Sequence, residues 1–146
     1  MKTAAEILKS KAKQAVHSIA PGDSVFDAVK LMADKNIGAL LVMEADRIAG
    51  IVTERDYARK IVLMSRSSKE TPVCEIMTSE VMYVHPGQTS DECMVLMTEN
   101  RLRHLPVIDG GKLLGLISIG DLVKSIISEQ RFTIEQLEHY ISGERG

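Results

Sequence analysis

Tryptophan is absent from this 146-residue chain, and with two Phe and three Tyr the aromatic fraction is only 3%. Proteins that hold single-stranded nucleic acid by stacking its bases need more aromatic surface than this. An excess of basic charge is also missing. The formal net charge is −2, so no positive field draws in a nucleic-acid backbone or an anionic membrane. The two cysteines, Cys74 and Cys93, form no C-x-x-C pair, which indicates neither a disulfide framework nor a zinc site, and no metal is expected. No apolar run approaches the roughly 18 residues that span a bilayer. The lysine-bearing N-terminus lacks the apolar core of a signal peptide, so the cytoplasm is the expected compartment. The signatures G-x-G-x-x-G, G-x-x-x-x-G-K-[ST], H-E-x-x-H and G-x-S-x-G do not occur, which removes the commonest sequence arguments for an enzyme.

What the chain does have is a core and a repeat. Its hydrophobic fraction of 45% and charged fraction of 26% suit a globular domain of ordinary size. From residue 21 to 57 the chain aligns with itself, without a gap, 65 residues further on. Eight pairs are identical in that span: Pro21/Pro86, Gly22/Gly87, Leu31/Leu96, Met32/Met97, Leu40/Leu105, Val42/Val107, Gly50/Gly115 and Asp56/Asp121. A match of this kind reads as duplication. Upstream, Ile76-Met77-Thr78 echoes Ile7-Leu8-Lys9, with four residues fewer between this point and the Pro-Gly.

Each copy reads as β-α-β-β-α. In the first, His17 to Ala20 is a short extended piece stopped by Pro21-Gly22. A helix begins at Asp23 or Ser24, with Val25, Ala28, Val29 and Met32 on one face. Ala39 to Met43 is a strand buried on both faces, Glu44 to Arg47 a turn, Ile48 to Val52 a second strand, and Thr53 to about Met64 a helix. The second copy repeats this with Val84, a helix capped by Thr89 and carrying Cys93 and Met97, the strand Leu105 to Ile108, a hairpin turn at Asp109 to Lys112, the strand Leu113 to Ile117 and a helix from Ser118 to Ser128. An amphipathic helix over residues 3–16 precedes the repeats. A tail from Phe132 to Ser142 carries Ile134, Leu137 and Ile141 at helical spacing. The expected division is 1–70 for the N-terminal helix and first unit, 71–130 for the second unit, and 131–146 for the tail. The fold class is α+β, with the two units related by a pseudo-two-fold axis.

Gly-h-h-Thr/Ser-x-x-Asp closes both second strands, at Gly50 to Asp56 and Gly115 to Asp121. Thr53-x-x-Asp56 and Ser118-x-x-Asp121 are capping boxes by spacing. The same junction also suits an anionic ligand, because a helix N-terminus offers free N–H groups and partial positive charge. An Asp there suits a vicinal diol, accepting two charge-assisted hydrogen bonds of roughly 1.5–3 kcal/mol each.

The Pro-Gly before the first helix, the Leu-Pro-Val strand and the closing motif, in order and twice, resemble the tandem cystathionine-β-synthase (CBS) domain family, the Bateman module. The resemblance covers roughly residues 5 to 130. It implies a regulatory, non-enzymatic module that binds adenosine-containing ligands (AMP, ADP, ATP, NAD or S-adenosyl compounds) in two clefts between paired units. It also implies a homodimer and a regulated partner protein. Carried over, Ser118 and Asp121 work with Ser18, Ile19 and Ala20, while Thr53 and Asp56 work with Tyr83, Val84 and His85. The positions before each buried strand, Gly38-Ala39 and Arg103-His104, face the clefts. Arg55, Arg103 and His104 are the candidates to neutralise phosphate, with Arg66 and Lys69 as weaker ones. The two sites are expected to differ, Arg55 standing against Gly120 and Arg103-His104 against Gly38-Ala39. The alternatives are a structural dimerisation module with empty clefts and a weak nucleotide hydrolase or transferase.

Overall fold

The computed structural model describes residues 1–11 and 16–141, and its elements follow the repeat. In the first copy, β1 (Ser18–Ile19) pairs in parallel with β2 (Ala39–Glu44), which pairs antiparallel with β3 (Arg47–Thr53). Between β1 and β2 lies α2 (Val25–Lys35), capped by Ser24 and closed by Asn36 in the left-handed region. In the second copy, α4 (Ser90–Asn100) precedes the antiparallel pair β4 (His104–Asp109) and β5 (Lys112–Ser118). The counterpart of β1 is a single parallel bridge from Val84 to Val107.

Register is repeated as closely as sequence. Ala39 opposes Thr53 and His104 opposes Ser118; Val42 opposes Gly50 and Val107 opposes Gly115. The same irregularity follows, between Val42 and Met43 and between Val107 and Ile108. The left-handed residue that ends α2 recurs as Arg101 after α4. Leu40, Val42 and Val52 pack with Val25, Ala28 and Met32 to form one core. Leu105, Val107 and Ile117 pack with Cys93, Met97 and Leu122 to form the other. Each strand pair is thereby covered by its helices on one face, as its apolar pattern requires.

The packed units do not follow the sequential boundary expected at residue 70. One unit comprises Ala15–Val81; the other joins Met1–Gln14 to Met82–Gly146. The segment preceding each repeat packs on the other repeat's unit. Helix α1 (Ala4–Ser10) buries Ala4 and Ile7 in the core of the second copy. A 3-10 turn, Val73–Glu75, brings Val73 and Ile76 into the core of the first. The two dockings match bond for bond. Ala4 N–H donates to Gln88 O at 2.7 Å, and Val73 N–H donates to Asp23 O at 2.8 Å. Ala5 N–H reaches Pro86 O, and Cys74 N–H reaches Pro21 O, both at 3.0 Å.

The conserved-in-repeat glycine of each hairpin is what this docking requires. A Cβ on Gly50 would lie 2.7 Å from Thr78 O and 2.8 Å from Met77 Sδ; one on Gly115 would lie 2.8 Å from Leu8 Cδ2. The echo of Ile7-Leu8 in Ile76-Met77 is therefore the echo of two docking segments.

Two helices differ from expectation. The helix after β3 is α-helical only over α3 (Glu54–Tyr57), then continues as a π-helical turn, Ala58–Val62. The helix expected to stop at Ser128 and the tail expected from Phe132 are one helix, α5 (Ile119–Ile141), because nothing between them breaks it. The first helix, expected over residues 3–16, stops at Ser10, because Lys11 is already extended; residues 12–15 lie outside the described residues, as does Ser142 at the end of the tail.

Substituting Gly50→Ala is expected to destabilise by about 1–3 kcal/mol, the usual range for overpacking, because the new methyl meets backbone. Gly115→Ala meets the end of a leucine side chain that can rotate, and should cost less. Urea denaturation midpoints of the two variants measure the order; equal midpoints would contradict the backbone clash.

Candidate functional site

The strand-to-helix junction closes each hairpin as a capped helix start. At the end of β3, Asp56 N–H donates to Thr53 Oγ1 at 3.2 Å, and Asp56 Oδ2 accepts from Thr53 N–H at 3.0 Å and from the Thr53 hydroxyl at 3.1 Å. At the end of β5, Asp121 N–H donates to Ser118 Oγ at 3.2 Å, and Asp121 Oδ2 accepts from Ser118 N–H at 2.8 Å. Both expected capping boxes are thus formed. Each satisfies orphan donors at a helix start and places a carboxylate beside it.

Each carboxylate also holds a lysine that sequence reasoning did not single out. Lys60 Nζ lies 3.3 Å from Asp56 Oδ1 and donates to Ile76 O at 2.8 Å. Lys11 Nζ lies 3.0 Å from Asp121 Oδ2 and donates to Leu116 O at 2.7 Å. Lys60 is one helical turn from Asp56, so its pairing was visible in the spacing. Lys11 is 110 residues from Asp121, and only the docking of α1 brings them together. In the first copy both carboxylate oxygens are engaged. In the second, the Ser118 N–H and the Lys11 ammonium both fall on Oδ2.

The remaining candidate residues fall around these two junctions, unit by unit. In the unit of the first copy, Gly38 O accepts from Glu54 N–H at 3.1 Å, and a side chain at Gly38 would meet the Glu54 carboxylate at 3.0 Å. Ala39 is buried opposite Thr53. Arg55 is exposed. In the extended segment Ser18 and Ala20 are exposed and Ile19 is buried, and Ala20 N–H donates to Asp23 Oδ2 at 3.1 Å. The two weaker cation candidates are otherwise occupied: Arg66 pairs with Glu75, and Lys69 sits 5.1 Å from the centre of the Phe26 ring.

In the unit of the second copy, Arg103 O accepts from Ile119 N–H at 2.8 Å and its side chain is exposed. His104 is half-buried opposite Ser118. Val84 is buried, while Tyr83 and His85 are exposed with their rings edge to face, 5.8 Å apart. Ser18 to Ala20 and Asp121 belong to different packed units, as do Tyr83 to His85 and Asp56.

The electrostatics of the second junction are the more developed. Burial would raise the Asp121 carboxyl, but the Ser118 N–H and the Lys11 ammonium outweigh it and hold the group below its ordinary value. Burial lowers His104, with Lys11 and Arg103 acting in the same direction and Asp121 against. At neutral pH this junction therefore presents an ionised carboxylate, an ammonium and a neutral imidazole. Cys93 lies in the core with its thiol pushed up by burial, while Cys74 is exposed. No group of His, Cys, Asp and Glu among the described residues is arranged to hold a metal ion, and no described helix is long and apolar enough to cross a membrane.

A family model described as CBS domain matches residues 4–63 and 73–128. The CBS domain-containing protein CBSX3, mitochondrial, of Arabidopsis thaliana is 44% identical over 97% of this chain and 72% of its own length. Among solved structures, a CBS-domain protein from Burkholderia ambifaria MC40-6 is 64% identical, with a TM-score of 0.86 over 88% of this chain and 96% of that one. The hexameric CBS-CP12 protein from bloom-forming cyanobacteria is 36% identical, with a TM-score of 0.74 over 84% of this chain and 70% of that one.

The lowered His104 sets a pH dependence. Its unfolded value is about 6.5. As pH falls below that, the unfolded chain takes up the proton before the folded one does, so stability falls with pH until the folded value is passed. The lowered Asp121 acts in a more acidic window: its contribution is present above about pH 3.9 and is lost as pH falls through the folded value. His104→Ala, which installs the residue found at position 39, should flatten the loss of stability between about pH 7 and 5. Urea unfolding of both proteins across that range tests this; parallel slopes would contradict it.

Proposed function

The chain belongs to the CBS-domain family, and from that premise we propose that it is a regulatory module for adenosine-containing ligands. AMP, ADP, ATP or NAD would be taken up at the two strand-to-helix junctions, and occupancy would be passed to a partner protein. The observation that carries the reading is the second junction. Oδ2 of Asp121 takes both the Ser118 N–H and the Lys11 ammonium, so the carboxylate is held in place and would turn Oδ1 to a ribose diol. Lys11 and Arg103, with the first turn of α5, supply positive potential for a phosphate nearby. A signal-transduction role has been put forward for the Burkholderia ambifaria neighbour, which supports a regulatory rather than a catalytic reading. The cyanobacterial neighbour is hexameric, which supports self-association; a homodimer in the cytoplasm is the proposed form.

Binding rather than turnover is proposed because the two carboxylates occupy equivalent capping positions in two copies. Acid/base chemistry needs two groups with different tasks at one reacting centre. The first junction, whose Asp56 is engaged through both oxygens, is proposed to be the weaker site.

Isothermal titration with AMP, ATP, NAD and S-adenosylmethionine tests the proposal. Asp121→Asn keeps a cap acceptor but removes the charge, and should weaken binding about tenfold, or roughly 1.4 kcal/mol. Asp56→Asn should have a smaller effect. No heat and no thermal shift with any of the four would favour an empty structural module. Appearance of product from ATP or NAD would favour an enzyme.

A further inference from the structure

From Gln130 to Ile141 every residue of α5 is exposed. A helix of about 12 residues is marginal in water on its own, and this exposed stretch carries Ile134 at 53% exposure, Leu137 at 55% and Ile141 at 81%. Earlier in the same helix Val123 and Ile127 are each 43% exposed. Together with Gln130 these residues are spaced alternately four and three apart, a heptad seam with Ile127, Ile134 and Ile141 at one core position and Val123, Gln130 and Leu137 at the other. The seam lies roughly a third of a turn round the helix from Leu122 and Ser125, the residues α5 buries in its own unit.

We propose that this seam is an interface between two copies of the chain, with the α5 helices antiparallel. Pairing Ile127 with Leu137 of the other copy also sets Val123 against Ile141 and Gln130 against Ile134. A two-fold axis then passes beside residue 132, and the same patch serves both copies. The flanking charges choose the direction. Lys124, Arg131 and Glu138 line one edge of the seam and are all exposed. Antiparallel, Lys124 comes within two residues of the level of Glu138 of the other copy, about 3 Å along the axis and within reach of an ion pair, and the pairing occurs twice. The two Arg131 side chains approach at the axis, with Glu135 one turn along as counter-charge. Parallel, the same three charged residues meet Ile119, Ile126 and Thr133, and no opposite charges pair. The Gln130 pair, one turn apart across the axis, supplies the single polar position that fixes register in such seams. The interface is independent of ligand binding at the strand-to-helix junctions.

Sedimentation equilibrium of the full chain at low salt tests the seam. The double variant Ile134→Asn/Leu137→Asn should lower the assembly mass or raise its dissociation constant at least tenfold, with the urea midpoint of the unit's core unchanged. Lys124→Glu and Glu138→Lys should each weaken association several-fold, and the two together should restore it. An unchanged mass for Ile134→Asn/Leu137→Asn, or a monomeric wild type at all concentrations, would overturn the interface. Failure of the double charge swap to restore association would overturn the antiparallel arrangement.

Discussion

The rest of the structure depends on one constraint: neither repeat closes its own core. The first copy needs Val73 and Ile76, which precede the second; the second needs Ala4 and Ile7, which precede the first. Both insertions rest against a hairpin at a residue that has no side chain, Gly50 or Gly115. A strand glycine weakens a sheet unless something approaches it closely, and here the approaching group differs in kind. Gly50 admits a backbone carbonyl, and Gly115 admits a leucine. The exchange also ties the start of the chain to its second half, so a unit cut out at residue 70 would lack the segment that completes its core.

The same exchange builds the candidate site. The docking helix α1 runs out at Lys11, which reaches both Leu116 O and Asp121. In the first copy the equivalent ammonium comes from Lys60, inside the π-helical turn that follows α3. At the position of Lys60 the second copy has Ser125, which is buried. Two copies of one unit thus satisfy the same carboxylate from different parts of the chain. The consequence is unequal: Lys60 takes the second oxygen of Asp56, whereas Lys11 shares an oxygen of Asp121 with Ser118.

Much of this was legible in the sequence, for reasons that can be named. The ungapped match from residue 21 to 57 predicts equal register in the two hairpins, because a side-chain period of two admits no slip without exposing the core. Thr53-x-x-Asp56 and Ser118-x-x-Asp121 predict their caps because the capping box is local. What was not legible is what local spacing cannot carry. Chain order, the only neighbour a sequence shows, places the first helix with the repeat that follows it. The π-helical turn uses the same residues as an α-helix, bonded one place further along. The continuity of α5 through Ser128 to Phe132 was available, since no glycine or proline interrupts it, but the end of the repeat drew the boundary instead. The cations also lie beyond local spacing: Arg66 is taken by Glu75, and Lys11 is supplied from a segment far from the motif.

The position of Lys11 gives the proposed ligand response a physical route. A ligand can shift a conformational equilibrium only by its difference in affinity for the two states. A ribose bound at Asp121 Oδ1 leaves the Lys11 contact on Oδ2 in place, and so adds to an arrangement that already exists. A phosphate at the start of α5 competes with Asp121 for the same ammonium, and the end of α1 must then choose between them. Nucleosides and nucleotides would differ in what they do to α1 even where they bind the same carboxylate. In the first copy Lys60 belongs to the helix that bears Asp56, so the same competition stays within one element and has no distant segment to move.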